Sequence, residues 1–411
     1  MRKRISVFAG VILMTYTSFG QFEPKQLNSE DFENIKVTLG GDFALQYQVL
    51  KHHADAELIP LGTGFNLPTA NLNTSALLAP GMSVVLETYL SSRHHNETWV
   101  KGGYITIDEL SFIKSDGIDR IMDYLTLRVG DMEINYGDAH YRRSDNGKVI
   151  NNPFVGNYIM DAFSTQVGFE VLYRNKDWFL MGAVSNGSLK PALTGYSSGD
   201  STYVTYDTHK ELAFYWKAGI DKQFNDNFRL RFSLSGYHCP DNHSGSLYNS
   251  ERAGSRYYFV MNKVSYSPND VDVTKNHTSG NYGPGTTKKD NSIMANLFTR
   301  YRGFEVFGTY ERFKGTSPAE VESEFNQYAV EGLYRFGKDQ QFYTGLRYNA
   351  VKSDVGEDQS VNRIQVAAGW FLIKQIILKL EYVKQNYIDF ATYGSGNAGF
   401  DGVMVEAAIS F

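Results

Sequence analysis

Hydrophobic and polar residues alternate along most of this chain. From Ile35 to Val49 the odd positions carry Ile35, Val37, Leu39, Gly41, Phe43, Leu45, Tyr47 and Val49. The even ones carry Lys36, Thr38, Gly40, Asp42, Ala44, Gln46 and Gln48. Successive side chains on a strand point to opposite faces, so this pattern predicts a strand with one apolar and one polar side. It runs well past the usual globular strand of about 5–6 residues. The alternation returns at Phe163–Tyr173, Leu212–Ile220, Phe228–Leu234, Tyr328–Phe336 and Ile376–Tyr382.

Two arrangements fit such strands. A soluble sandwich buries the apolar face; a membrane barrel turns it outward to lipid and points the polar face into a wet interior. Strand length favours the barrel, because a tilted membrane strand needs about 9–11 residues. The connections favour it further. Short links such as Ala79-Pro80-Gly81, Asn175-Lys176-Asp177 and Arg302-Gly303 alternate with long polar stretches, the longest at 239–290. Barrels with short periplasmic turns and long outer loops produce that rhythm.

The rule threads the chain through strands at about 35–49, 71–78, 82–92, 99–110, 124–136, 161–174, 178–186, 209–223, 228–238, 291–301, 304–313, 324–336, 342–352, 362–372, 376–388 and 402–411. The expected fold is therefore all-β: a transmembrane, antiparallel, up-and-down β-barrel of about 16 strands, with 14 to 18 left open. Residues 111–123 are expected to form a short periplasmic helix, and Arg256 to Val260 a hairpin within the longest outer loop.

Composition agrees. Aromatics make up 14% of 411 residues, yet mean hydropathy is −0.36. Beyond the N-terminus the longest apolar run, Trp370 to Leu380, is broken by Lys374 and Lys379, so no helix spans a membrane. The single Cys239 rules out a disulfide framework. Arg2, Lys3 and Arg4, the apolar stretch Ile5 to Tyr16, and Ser18-Phe19-Gly20 together read as a cleaved secretory signal peptide at 1–20. The remainder, 21–411, is one barrel domain. Removing three of 40 basic residues leaves 37 against 45 acidic ones, net −8. An acidic chain speaks against a nucleic-acid partner.

The last residues carry a specific signal. Val403, Val405, Ala407, Ile409 and the terminal Phe411 are apolar at every second position. This resembles the C-terminal assembly signature of Gram-negative outer-membrane proteins, which implies the barrel-assembly machinery as a partner and Phe411 as its signal residue. Aromatics gather at the inner turns, among them Tyr173, Trp178, Phe228, Tyr334, Phe336, Phe342, Trp370 and Phe371, as a girdle at a lipid interface would.

The whole mature chain resembles a Gram-negative outer-membrane porin. The stretch Leu127 to Phe163 is similar in layout to the phosphate-selective porin type: a strand, a Gly-Asp step, then a loop with arginines and Asn152-Pro153. That resemblance implies a strongly basic pore, and the chain departs from it. Inward positions mix Arg128, Arg174, Lys217, Arg229, Arg231, Arg300, Arg335, Arg347, Arg363 and Lys379 with Asp42, Asp108, Glu133, Glu170, Asp221, Glu305, Glu331 and Glu381. Sixteen strands enclose an aqueous channel, and charges inside it bias which ions enter.

The expected constriction is the third outer loop, Gly137 to Met160, with His140, Tyr141, Arg142 and Arg143 at the narrowest point. Arg128, Glu133, Glu170, Arg229 and Arg231 are expected along the pore. The arginines either face the opening or pin the loop to acidic wall residues such as Glu133 or Glu170. Neither a G-x-S-x-G elbow nor H-E-x-x-H occurs. The pairs His52-His53 and His94-His95 are expected in outer loops, where adjacent side chains diverge. The reading is thus a non-enzymatic porin without metal or cofactor. It passes small polar or ionic solutes across the outer membrane of a Gram-negative cell. The alternative is a barrel serving as a structural or docking subunit of a surface or secretion assembly. Outer-membrane lipid is an expected partner; the resemblance to classical porins implies a homotrimer, with a monomer or a surface-protein partner left open.

Overall fold

The computed structural model describes residues 22–24, 26–27, 32–91, 98–187, 194–197, 204–207, 211–241, 245–249, 253–264, 278–356, 358–394 and 396–411. The expected signal peptide and the His94-His95 pair lie outside the described residues. Among those described, sixteen long strands form the wall. They are β1 Lys36–His53, β2 Thr69–Ala79, β3 Met82–Ser91, β4 Thr98–Ile107, β5 Leu125–Glu133, β6 Thr165–Asn175, β7 Trp178–Ser185 and β8 Ala213–Asn225. They continue as β9 Phe228–Cys239, β10 Lys289–Tyr301, β11 Phe304–Thr316, β12 Glu322–Phe336, β13 Phe342–Ser353, β14 Ser360–Ile373, β15 Ile376–Ile388 and β16 Ala398–Ser410.

Each strand pairs antiparallel with its neighbours in sequence, and β1 pairs with β16 from Asp42↔Ser410 to His53↔Gly399. That last ladder closes the sheet and leaves no edge, which a strand exposed to lipid could not satisfy. One helix, α1 Asp116–Met122, lies on the β4–β5 link, as the sequence predicts.

The faces separate cleanly. Along β13, Leu346 and Tyr348 look outward while Tyr343, Arg347 and Asn349 are buried inside. Along β14, Ile364, Val366 and Trp370 point out, and Arg363 and Gln365 point in. Apolar residues therefore cover the outside and hydrogen-bonding residues the inside, the reverse of a soluble sandwich.

The turns on one rim are tight. Lys176 and Arg302 take left-handed conformations (φ 54° each) to reverse the chain within two residues. Rings line the same rim on the outer surface: Phe304, Tyr334, Phe336, Phe342 and Trp370 follow one another with centroids 4.5 to 5.9 Å apart. Phe371 is the exception to the expected girdle. It neighbours Trp370 on one strand, so it faces the interior and meets Tyr343 there.

Two differences concern the loops. The longest one does contain a hairpin, but it pairs Gly245–Tyr248 with Gly285–Thr287. Arg256 to Val260, expected as a hairpin, is irregular chain with positive φ at Arg256 and Phe259, and it is buried in the barrel. His52 and His53 lie on the end of β1 rather than in a loop.

Candidate functional site: an occupied, charged lumen

Among the described residues, three segments enter the barrel. The β5–β6 connection, residues 134–164, crosses the middle. Residues 253–264 and 278–284 lie on its outer side. Residues 22–24 and 26–27 come in from the rim of short turns, where the Gln26 side-chain amide donates to the carbonyls of Met122 and Leu125 and the Leu27 N–H donates to Asp108.

The middle segment spans the lumen from wall to wall. At one end the Asn146 side chain donates to Asn71 Oδ1 on β2 (2.8 Å), and Asp145 pairs with Lys101 of β4. At the other end the Val155 N–H donates to Glu381 of β15 (2.7 Å), and Arg347 of β13 donates to the Gly156 carbonyl (2.8 Å). Asn152 and Asn157 hold the loop's own shape. Asn157 Oδ1 accepts from the Ser144 N–H, and the Asn152 amide donates to Ser144 and Gly156.

The expected constriction residues are all in this segment and inside the barrel. Arg142 sits over the rings of Phe298 and Phe307, with Nη2 3.3 Å from Glu331 and Nη1 3.7 Å from Glu305. Glu331 also accepts from Arg347 Nε (2.9 Å) and from the Tyr158 hydroxyl (2.9 Å), while Glu305 takes Arg335 (2.8 Å). Arg143 makes a two-pronged pair with Asp161, 2.9 and 2.6 Å, and lies 3.9 Å over the Phe163 ring. His140 Nδ1 is 2.8 Å from Glu133 Oε1, and Tyr141 donates to Asn135 (3.0 Å). The arginines are thus in ion pairs, with Glu331, Glu305 and Asp161 rather than Glu133 or Glu170. Glu170 instead holds Arg128 (3.3 Å).

The remaining expected pore residues, Arg229 and Arg231, form a cluster near the inner rim. Asp138 of the inserted segment receives Arg231 in a fork (2.7 and 2.8 Å) and Lys217 at 3.1 Å. Arg229 forks onto Asp221 (2.7 and 2.6 Å). Into this cluster project Phe22 and Glu23. Glu23 lies 2.8 Å from Arg231 and 3.6 Å from Lys217. Burial disfavours its charge, but the positive charges of Arg231 and Lys217 outweigh that and hold the carboxyl below its usual range. Nothing in the alternation signals these two residues, because they precede the first strand.

On the outer side Arg256 pairs with Glu406 (2.6 Å), which Lys379 also reaches (2.8 Å), and the Tyr257 hydroxyl donates to Glu381 (2.7 Å). Above that layer the inward positions turn apolar. Phe313, Phe325, Val351, Val361 and Val383 pack with Tyr257, Val260 and Met261 into a small core. Period-two reading assigns polar residues to the inner face and misses this cap. Between His140, Arg142, Arg143, Asn157 and Tyr158 a cavity of about 20 Å³ remains, room for about one water. Around these residues the lumen is therefore a packed polar interior, narrower than the open channel that strand number alone leads one to expect. Among the described residues no group of three or more His, Cys, Asp or Glu could hold a metal ion.

No family model and no curated protein matches this sequence. Solved structures do. The anion-selective porin from Comamonas acidovorans superposes with a TM-score of 0.53 at 12% identity, covering 92% of this chain and 100% of that one. OprB of Pseudomonas putida gives 0.52 at 10% identity over 92% and 94%. The outer membrane channel DcaP of Acinetobacter baumannii gives 0.50 at 12% over 92% and 97%. At such identities the likeness is one of fold, and the fold shared with these proteins is a closed, antiparallel barrel of sixteen strands.

Proposed function

We propose that this chain is a porin of the Gram-negative outer membrane, passing small hydrophilic solutes or ions passively through its lumen. The observation that carries the reading is the inversion of the two faces on a closed cylinder. An apolar, ring-edged exterior is what lipid requires, and an interior lined by Lys217, Arg231, Arg347, Glu331 and Glu381 offers a path only to polar matter. Residues 1–20 act as the export signal in this reading, and Phe411 as the assembly signal.

His140, Tyr141, Arg142 and Arg143 form the constriction, and Arg128, Glu133, Glu170, Arg229 and Arg231 line the approach to it. Because the constriction is threaded with ion pairs, conductance is set by how far the inserted segments yield, and the resting conductance is small. The test is to reconstitute the purified full-length chain in a planar bilayer with potassium chloride on both sides. Discrete, ohmic current steps are expected. A correctly assembled barrel that passes no current at any voltage overturns the reading.

A further inference from the structure

Phe22 and Glu23 occupy a site that the rest of the barrel builds without them. Glu23 meets the Arg231 guanidinium with both carboxylate oxygens, at 2.8 and 2.9 Å. Such a fork is the strongest side-chain geometry for a carboxylate. The Phe22 ring lies under the same guanidinium, 4.2 Å from its carbon, with Arg229 at 5.3 Å. Phe298 and Tyr141 close the ring in edge-on at 5.4 and 5.8 Å.

Charge counts in the same direction. Among the described residues the cluster holds three cations, Lys217, Arg229 and Arg231, against two carboxylates, Asp138 and Asp221. Glu23 supplies the third. With the segment in place Lys217 and Arg231 are buried almost completely, and a buried cation left without enough counter-charge is costly. One guanidinium thus presents its edge to a carboxylate and its face to an aromatic ring, with two more rings beside it.

We infer that this is the channel's solute site, built for small monocarboxylates that carry an aromatic or bulky apolar group, and that Phe22–Glu23 is its tethered occupant, displaced when such a solute enters. The assignment rests on the porin reading for its role in transport, but the site itself does not. A tethered occupant acts at an effective concentration of about a millimolar, so a free solute must compete with it. The segment's remaining anchors, Gln26 and Leu27 at the rim, keep it close after displacement.

The probe is 3-phenylpropionate, titrated calorimetrically into the full-length protein in detergent. The Phe22→Ala, Glu23→Gln double variant is expected to bind it at least about tenfold more tightly than the unaltered chain, because the competitor is gone. Butyrate, which lacks the ring, should bind that variant about tenfold more weakly, and 3-phenylpropylamine should not bind. Arg231→Gln in the double-variant background should abolish binding. Phe298→Ala should remove the preference for phenylpropionate over butyrate and serves where Arg231→Gln fails to assemble.

Equal affinity of the unaltered chain and the double variant, or a preference for the amine, overturns the inference. Calorimetry needs no current. A chain that binds but never conducts overturns the porin reading alone, and one that conducts but binds nothing overturns the site alone.

Discussion

Arg142 and Glu331 are 189 residues apart in the chain and 3.3 Å apart in the barrel, one on the inserted segment and the other on the wall. Glu331 simultaneously serves Arg347 and Tyr158, so it is the hub that fastens the segment to β12 and β13. Glu331→Gln removes the carboxylate that the buried Arg142 and Arg347 share and leaves Arg142 with Glu305 at 3.7 Å, and removing one partner of a buried pair costs about 3–5 kcal/mol. The variant is expected to assemble, to melt at lower temperature, and to conduct more with a shift toward anions. Conductance steps and the reversal potential in a salt gradient check both parts.

Reversing the sign of the segment's own charges should do the opposite to selectivity. Arg142→Glu with Arg143→Glu sets new carboxylates beside Glu305, Glu331 and Asp161. The anion/cation permeability ratio is expected to fall. An unchanged reversal potential from a correctly assembled barrel means that permeating ions do not pass these two positions.

Closure of the barrel depends on a glycine. A Cβ at Gly40 would stand 2.7 Å from a Phe411 backbone oxygen that the Gly41 N–H holds in place at 2.9 Å. Gly40→Ala is expected to cost about 1–3 kcal/mol by overpacking and to lower the temperature at which the folded band is lost on unboiled gels. Gly332→Ala, where a Cβ meets nothing within 4 Å, should leave that temperature where it was.

Acid should release the N-terminal segment, and mild acid should not. Glu23 is flanked by Arg231 and Lys217 on the wall and by Asp138 on the inserted segment, and its carboxyl titrates below the usual 4.5. A depressed carboxyl contributes its stabilisation above the free value and loses it as pH falls through the bound one. The Glu23-dependent part of the conductance is expected to stay flat from pH 8 to about 5 and to rise only below about 4.5. Glu23→Gln should raise it at neutral pH and flatten the acid response.

Strand number, loop rhythm and the direction of each face were legible because a period of two over ten or more residues leaves little freedom once lipid is the outer solvent. Val403 to Phe411 and the run from Tyr328 to Phe336 illustrate it: outward and inward residues fall where the alternation puts them. The β5–β6 segment was legible in place but not in partners. Arg142 and Arg143 mark it as charged, yet which carboxylate each meets depends on how far the loop reaches across, and local sequence does not contain that distance. Arg256 and Glu23 were harder still. Both lie in stretches without periodicity, and each finds its partner, Glu406 or Arg231, at a separation of 150 or more residues.

A hollow cylinder of sixteen strands is weakest against ovalisation, since its ladders resist stretching along the hoop but not a change in cross-section. The segment that ties Lys101 on β4 to Glu331 on β12, eight strands apart in the sixteen-strand ring, acts as a strut across that section. Lateral pressure from the bilayer, or from a neighbouring barrel, is therefore carried through the loop and not only round the wall. Cutting or loosening the strut should make the barrel's roundness, and with it the calibre of the passage, respond to the lipid it sits in.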